Sequence, residues 1–258
     1  MPRPDAALSL AQKPLLARQP AEDYQRLLPH LRNRILAALP REEYERMAPN
    51  LKTVSLLLGS ILYIPDETIQ HVYFPKTCVI SILAALEDGA TVEAGVTGSE
   101  GMVGVPIVLG ADSTPNQALT QVAGDAWQMP AENLREEFRR GGKLHDLLLR
   151  YTHTLFTQVA QTAACNRVHR IDERLARWLL ITHDRVRSDC FILTQEFLAR
   201  MLGVHRPGVT EAAVALREKN LINYSRGKIT VLDRPGLEDA SCECYRIVKE
   251  EYDRYLNM

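Results

Sequence analysis

Arg206, within the stretch Thr194 to Ile222 (TQEFLARMLGVHRPGVTEAAVALREKNLI), carries the most specific chemistry in this sequence. A guanidinium presents a planar fork of donors that matches a phosphate, or the O6 and N7 acceptors of guanine. Near it in sequence stand Thr194, Gln195, His205, Thr210, Arg226 and Lys228. Their hydroxyl, amide, imidazole and cationic groups suit contacts to a nucleic-acid backbone, which fix register without reading sequence. Such groups act together only if the chain holds them on one rigid, outward face.

The residues between them predict that face. Thr194 can cap a first helix, and Glu196 in its first turn complements the helix dipole. Leu198, Ala199 and Leu202 give this helix one apolar side. Gly203 enters left-handed backbone without a Cβ clash, and Pro207 suits the first turn of a second helix, where no amide donor is needed. Val204, Val209, Ala212 and Leu216 make the buried stripe of that helix, leaving Arg206, Gly208, Thr210, Glu211 and Ala215 outward. Small residues at Ala199, Gly203 and Ala212 permit the close approach of two helices crossing steeply over a short turn. Ile222 to Leu232 then reads as two short strands about a turn at Ser225 to Gly227. The whole is a winged helix-turn-helix.

Arg206 onward, with KNLI before the hairpin, resembles the DNA-binding domain of the Crp/Fnr family of bacterial transcription regulators, and the resemblance continues upstream to cover residues 41 to 234. It implies an α+β chain in which an N-terminal antiparallel β-roll of the cyclic-nucleotide-binding type precedes a long dimerisation helix and a C-terminal winged helix-turn-helix. The segments to expect are an arm and helix at 1–40, the sensor-like roll at 41–142, the dimerisation helix at 143–165, the winged domain at 166–234 and a terminal helix at 235–258. The family's base-reading positions fall on Arg206, Pro207 and Glu211. Glu211 could accept from cytosine, whereas Pro207 departs from the usual carboxylate and offers only steric or methyl contact.

The function so implied is a non-enzymatic transcription regulator that binds an inverted-repeat DNA operator as a homodimer. Double-stranded DNA, a second copy of the chain and RNA polymerase are the partners to expect, with no cofactor. The alternative is a ligand-responsive signalling module whose winged domain binds protein rather than DNA, which the acidic Glu211 on the presented helix leaves open. In family members that bind cyclic nucleotide, a Gly-Glu helix contacts the ribose and an Arg reaches the phosphate. Here GMVGVPIVLGADSTPNQALTQV puts Val105 at the carboxylate position, with Asn116 or Gln117 where the Arg belongs. A buried phosphate without a cationic partner is costly. The resemblance therefore implies a degenerate pocket that has lost cyclic AMP binding, its effector unassigned.

Composition agrees with a soluble chain whose parts differ in charge. At 258 residues and 46% hydrophobic, it can bury ordinary cores. No run approaches the roughly 18 apolar residues of a membrane span, and the start lacks the apolar core of a signal peptide, so the cytoplasm is expected. Net charge is −1, yet residues 166–234 carry 13 Lys/Arg against 8 Asp/Glu while residues 41–165 carry 9 against 15. A basic module joined to an acidic one suits a phosphate-binding part with a separate regulatory part.

Residues 1–20, with four prolines, suggest a loose arm. Helical stretches follow over EDYQRLLPHLRNRILAAL, which Pro29 should break or offset, and REEYERMA; Leu36, Leu39, Tyr44 and Met47 are their packing residues. From Leu51 to Met129, short runs such as HVYFP, VISILAALEDG, TVEAGV and QALTQV, with turn signals between them, predict an antiparallel sandwich or roll turning at Gly59, Gly89, Gly98 and Gly101. After the Gly141-Gly142 break, Lys143 to Ala164 repeats apolar residues at helical spacing. Within it Leu144, Leu148, Tyr151, Leu155 and Val159 are the expected dimer interface. Asn166 to Asp172 would be the hinge, and ECYRIVKEEYDRYL a terminal helix with Tyr245, Val248, Tyr252 and Leu256 on one stripe.

Five cysteines, Cys78, Cys165, Cys190, Cys242 and Cys244, form no disulfide framework. An iron–sulfur cluster of the Fnr type needs closely spaced N-terminal cysteines and is excluded. Haem on His71 or Cys78 is disfavoured, and so is a cupin-like enzyme, since residues 51–130 hold one histidine. Cys242-x-Cys244 lacks two further ligands at a recognisable spacing, and Cys165 with His169, four apart on a helix, is again only a pair. No metal site is expected, and Cys242 and Cys244 should be solvated or half-buried thiols.

Overall fold

The computed structural model describes residues 28–186 and 188–256. The arm expected at residues 1–20 and the helical start before residue 28 lie outside the described residues. Residues 28–31 are helical, with Pro29 second in that stretch, and the turn that Pro29 was expected to break or offset lies outside the described residues. The break falls at Arg32, held at φ 53°, and Asn33, whose side chain caps α1 (Arg34–Ala37) by accepting from Leu36 N at 3.2 Å. Next come α2 (Arg41–Met47), a single 3-10 turn, and seven strands: β1 (Lys52–Leu56), β2 (Ile61–Tyr63), β3 (His71–Pro75), β4 (Val79–Ala85), β5 (Thr91–Thr97), β6 (Asn116–Val122) and β7 (Gly124–Pro130).

Every pairing among these strands is antiparallel, in sheets of order β1-β7-β3 and β2-β6-β4-β5. The short helix α3 (Val105–Val108) lies between β5 and β6. The sequence predicted most of this roll but carried no signal at β7, where GDAWQMP lacks a regular alternation. Gly59 and Gly89 turn with φ of 80° and 82°. At Gly101 the requirement is space, because a Cβ there would collide with the Tyr151 ring.

The helix α4 (Ala131–Arg139) ends at Gly141 and Gly142, both with positive φ, and the 26-residue α5 (Lys143–Val168) follows. The Glu43 carboxylate of α2 accepts from Lys143 N and Leu144 N at 2.9 and 2.8 Å, satisfying amides that a helix start leaves without partners. The chain bends at His169 and Arg170 into α6 (Ile171–Val186), whose Trp178-Leu-Leu-Ile181 segment is buried. Beyond β8 (Cys190–Ile192) lie α7 (Gln195–Leu202), α8 (Arg206–Glu218), the hairpin β9 (Ile222–Ser225) and β10 (Lys228–Val231), then α9 (Arg234–Ala240) and α10 (Cys244–Leu256). Strand β8, too short for its period to show in the sequence, widens the wing to a sheet of order β8-β10-β9. Among the described residues no helix is long and apolar enough to cross a membrane.

Among the described residues two large apolar cores form, beside a small buried cluster of Cys165, Cys242 and Cys244. One fills the roll and takes in α5 and α10; the other surrounds α6, α7 and α8 and shares Val79, Leu83, Val96 and Leu119 with the roll. A polar chain crosses this second core. Trp178 Nε1 donates to Glu93 Oε1 at 2.9 Å, Ser81 Oγ lies 2.7 Å from Glu93 Oε2 and 2.8 Å from Gln121 Oε1, and Gln121 Nε2 donates to Thr182 Oγ1 at 2.9 Å. Burial pushes the Glu93 carboxyl up to about 7, against the hydrogen bonds from Ser81 and Trp178 and the field of Arg177. Ser81 owns one proton and faces two acceptors. A protonated Glu93 resolves this by donating to Ser81, which frees the serine to donate to Gln121.

The terminal helix α10 packs along α5 and α6. Tyr245, Val248, Tyr252 and Tyr255 are its buried face, whereas the side chain of Leu256 lies outside the described residues. The thiols expected to be solvated or half-buried are neither, since Cys242 is 7% and Cys244 0% exposed. The turn before α10 folds them under the end of α5, which a count of sequence spacing does not reveal.

Candidate nucleic-acid interface

Local chemistry builds the pair α7–α8. Thr194 Oγ1 accepts from Phe197 N at 3.1 Å as the N-cap of α7, and Glu196 occupies its first turn. Gly203 ends that helix in left-handed backbone, φ 61°, and a Cβ there would stand 3.1 Å from the Val92 methyls on β5. The turn is thus confined both by backbone and by the roll beneath it. Pro207 sits in the first turn of α8, and Val209, Ala212, Ala213 and Leu216 bury the inner side. Gly208, expected outward, instead faces the core, where a Cβ would approach Ile171 Cδ1 to 2.9 Å.

The outer side gathers the anticipated polar groups. Thr194, Gln195, Arg206 and Arg226 line one concavity of about 420 Å³, joined by Glu196 and Tyr224. The two residues between β9 and β10 make this possible. Arg226 at φ 51° and Gly227 at φ 75° form a tight turn of the kind whose two central residues are left-handed, and it brings the Arg226 side of the wing up to the start of α8. Thr210 Oγ1 donates to Gln195 Oε1 at 3.2 Å, tying α8 to α7. His205, Pro207, Glu211 and Lys228 are exposed outside this concavity. Tyr224 was not anticipated. Its hydroxyl donates to the Leu193 carbonyl at 2.9 Å, and burial pushes its phenol above the ordinary value while the Arg206 guanidinium acts the other way.

Residues 173–240 match the family model described as a Crp-like helix-turn-helix domain. This segment is a Crp-like helix-turn-helix domain. Among solved structures, the chain resembles FixK2 from Bradyrhizobium japonicum (16% identity, 74% of this chain and 98% of that one, TM-score 0.64). It also resembles a CRP-family transcriptional regulator from Thermus thermophilus (17%, 74% and 96%, TM-score 0.60). A third is the c-di-GMP-responsive global regulator CLP of Xanthomonas campestris (16%, 74% and 99%, TM-score 0.57). No curated protein matches the sequence. The chain therefore has the Crp/Fnr fold, with antiparallel sheets, a long helix and a Crp-like C-terminal domain in that order.

In this Crp/Fnr fold a second cavity, about 320 Å³, opens between the roll and α5. Val105 and Asn116 both line it, together with Tyr63, Met102, Leu155 and Phe156. Gln117 does not, because the alternation of β6 turns neighbouring side chains to opposite faces. Among the described residues no charged side chain lines this cavity.

The five residues expected at a dimer interface divide. Leu144, Leu148 and Tyr151 are 0%, 1% and 0% exposed and belong to the core of the roll. Leu155 and Val159 are half-buried at the mouth of the cavity. The face of α5 that is open instead carries Leu149 and Phe156, 45% and 69% exposed, with Ala163 one further heptad along. A helical stripe shows in sequence which residues are apolar; which part of it the roll consumes depends on how the helix docks.

Proposed function

We propose that this protein is a transcription regulator that binds double-stranded DNA as a homodimer, placing the start of α8 in the major groove. The observation that carries the reading is the convergence of Arg206 on α8 and Arg226 on the wing in one outward concavity of a Crp-like helix-turn-helix domain. Arg206 stands where a guanidinium can reach base edges, and Glu211, one turn further along, can accept from cytosine. Thr194, Gln195, His205, Thr210, Arg226 and Lys228 supply the backbone contacts that set register. Dimerisation runs along the open face of α5 through Leu149 and Phe156, which gives the operator two-fold symmetry.

The cavity between roll and α5 takes neither a cyclic monophosphate nor another strongly anionic ligand. Its lining offers no cation to balance a phosphate, and Val105 and Asn116 stand at the positions where a carboxylate and an arginine would be needed. DNA binding then requires no cyclic nucleotide. The test is selection of bound duplexes from a random pool with the full chain, followed by titration of the selected site across a salt series. An inverted repeat bound with a steep salt slope is expected. Salt-insensitive binding, or none, would point to a winged domain that binds protein.

A further inference from the structure

Three cysteines and a histidine, from two distant parts of the sequence, meet where α5 ends. Cys165 lies in the last turn of α5, His169 caps it, and Cys242 and Cys244 frame the start of α10. One ligand atom from each of the four lies within 4.8 Å of every other. Cys165 Sγ is 3.5 Å from Cys242 Sγ, and Cys244 Sγ is 3.5 Å from His169 Nδ1. A tetrahedral zinc ion with ordinary bond lengths puts two sulfurs about 3.8 Å apart, and a sulfur and a nitrogen about 3.6 Å apart. The two shortest separations match those edges to within a few tenths of an ångström, and all four atoms are close enough to close on one ion. A multi-iron cluster would hold its ligands further apart.

The surroundings supply what a metal site needs beyond its ligands. His169 Nε2 lies 3.2 Å from Glu243 Oε2, so the ring can donate there and present Nδ1, unprotonated, to the ion. Gln161 Nε2 donates to Cys244 Sγ at 3.1 Å, as suits a thiolate acceptor. Three thiolates, an imidazole and zinc(II) leave one net negative charge. Arg174 and Arg177, 7% and 5% exposed, stand beside the cluster, and neither pairs with a carboxylate among the described residues. The Nε atoms of both are buried without a hydrogen-bond partner. Two buried cations facing neutral thiols have no counter-charge there, whereas a zinc tris-thiolate supplies one negative charge that offsets part of theirs.

We propose that Cys165, His169, Cys242 and Cys244 bind one zinc(II) ion, which fastens the terminal helix to the junction between the long helix and the Crp-like domain. Binding exchanges the three thiol protons for the ion without redox change. With four protein ligands and buried thiols, the site is closed, as in structural rather than catalytic zinc centres. All four ligands lie outside residues 173–240, the span of the family match, on either side of it. The sequence alone predicts no metal because each half of the set, Cys-x-Cys and a Cys with a His four residues on, is only a pair there.

The test uses the untagged full chain, purified under reducing conditions, with metal content measured by mass spectrometry. About one zinc per chain is expected, retained in Cys190→Ser and lost in Cys165→Ser, His169→Gln and Cys244→Ser. Chelation should lower the Tm of the wild type by about 10 °C. Should the ligand variants fail to fold, cobalt(II) added to demetallated wild type gives an independent readout: d–d bands of tetrahedral cobalt and a thiolate charge-transfer band. Reduced wild type that takes up neither zinc nor cobalt, that carries iron in place of zinc, or whose zinc survives in all three ligand variants overturns the proposal. So does a Cys165–Cys242 disulfide in protein prepared under those conditions.

Discussion

The indole nitrogen of Trp178 donates to Glu93 Oε1 at 2.9 Å, so the first helix of the Crp-like domain region is hydrogen-bonded to β5 of the roll through a buried acid. Burial sets that acid at about 7, against an ordinary 4.5. Below the ordinary value Glu93 is protonated whether the chain is folded or not. Between the two values the folded state holds a proton that the unfolded state has released, so the contribution of this group falls as pH rises and is fully lost above about 7. The shift corresponds to on the order of 3 kcal/mol. Glu93→Gln should match the wild type near pH 4.5 and exceed its Tm at pH 8 by on the order of 5–10 °C. Parallel Tm curves for the two proteins across this range would show that Glu93 is ionised within the fold.

Arg206→Ala should leave folding intact, because the side chain is exposed at the start of α8. It should cost about 1–3 kcal/mol per half-site in discrimination at one guanine-containing base pair. Binding measured over single-base variants of the selected operator checks this; a uniform loss over all variants would make Arg206 a backbone contact.

Arg226→Ala should weaken binding to every duplex alike and flatten the salt slope by about one unit for each phosphate no longer neutralised. Arg226 already holds a left-handed backbone, φ 51°, so alanine adds no new type of strain to the turn. A loss confined to one base pair would instead assign base reading to the wing.

Phe156→Glu should abolish the proposed dimer without unfolding the protomer, since that ring is 69% exposed. Leu148→Ala addresses the core instead and should cost about 2–5 kcal/mol of stability with the dimer retained by whatever fraction stays folded. Sedimentation paired with thermal melts separates the two effects. A dimeric Phe156→Glu variant would move the interface off this face of α5.

Calorimetric titration with cyclic AMP and cyclic GMP should give no binding, and addition of either should leave operator affinity unchanged. Micromolar affinity would mean that a phosphate is held in the cavity by groups other than Val105 and Asn116.

What the sequence determined by itself is local. Thr194 as a cap, Gly203 as a left-handed turn, Pro207 in a first turn and the alternating runs of the roll each act through hydrogen bonds and sterics within a few residues, so a linear reading finds them. Arg206 and Arg226 were legible as chemistry for the same reason, because the turns that orient them are written beside them. Tertiary structure alone decided the rest. It assigned Leu148 to the core and Phe156 to the open face of one continuous apolar helix, because docking on the roll, rather than helical period, selects the buried side. It put Glu93 beside Trp178 and gave an ordinary glutamate an acid constant near neutrality, an effect of burial that no neighbouring residue announces. And it brought Cys165 and Cys242, 77 positions apart, to 3.5 Å, turning two incomplete pairs into four ligand atoms within 4.8 Å of one another.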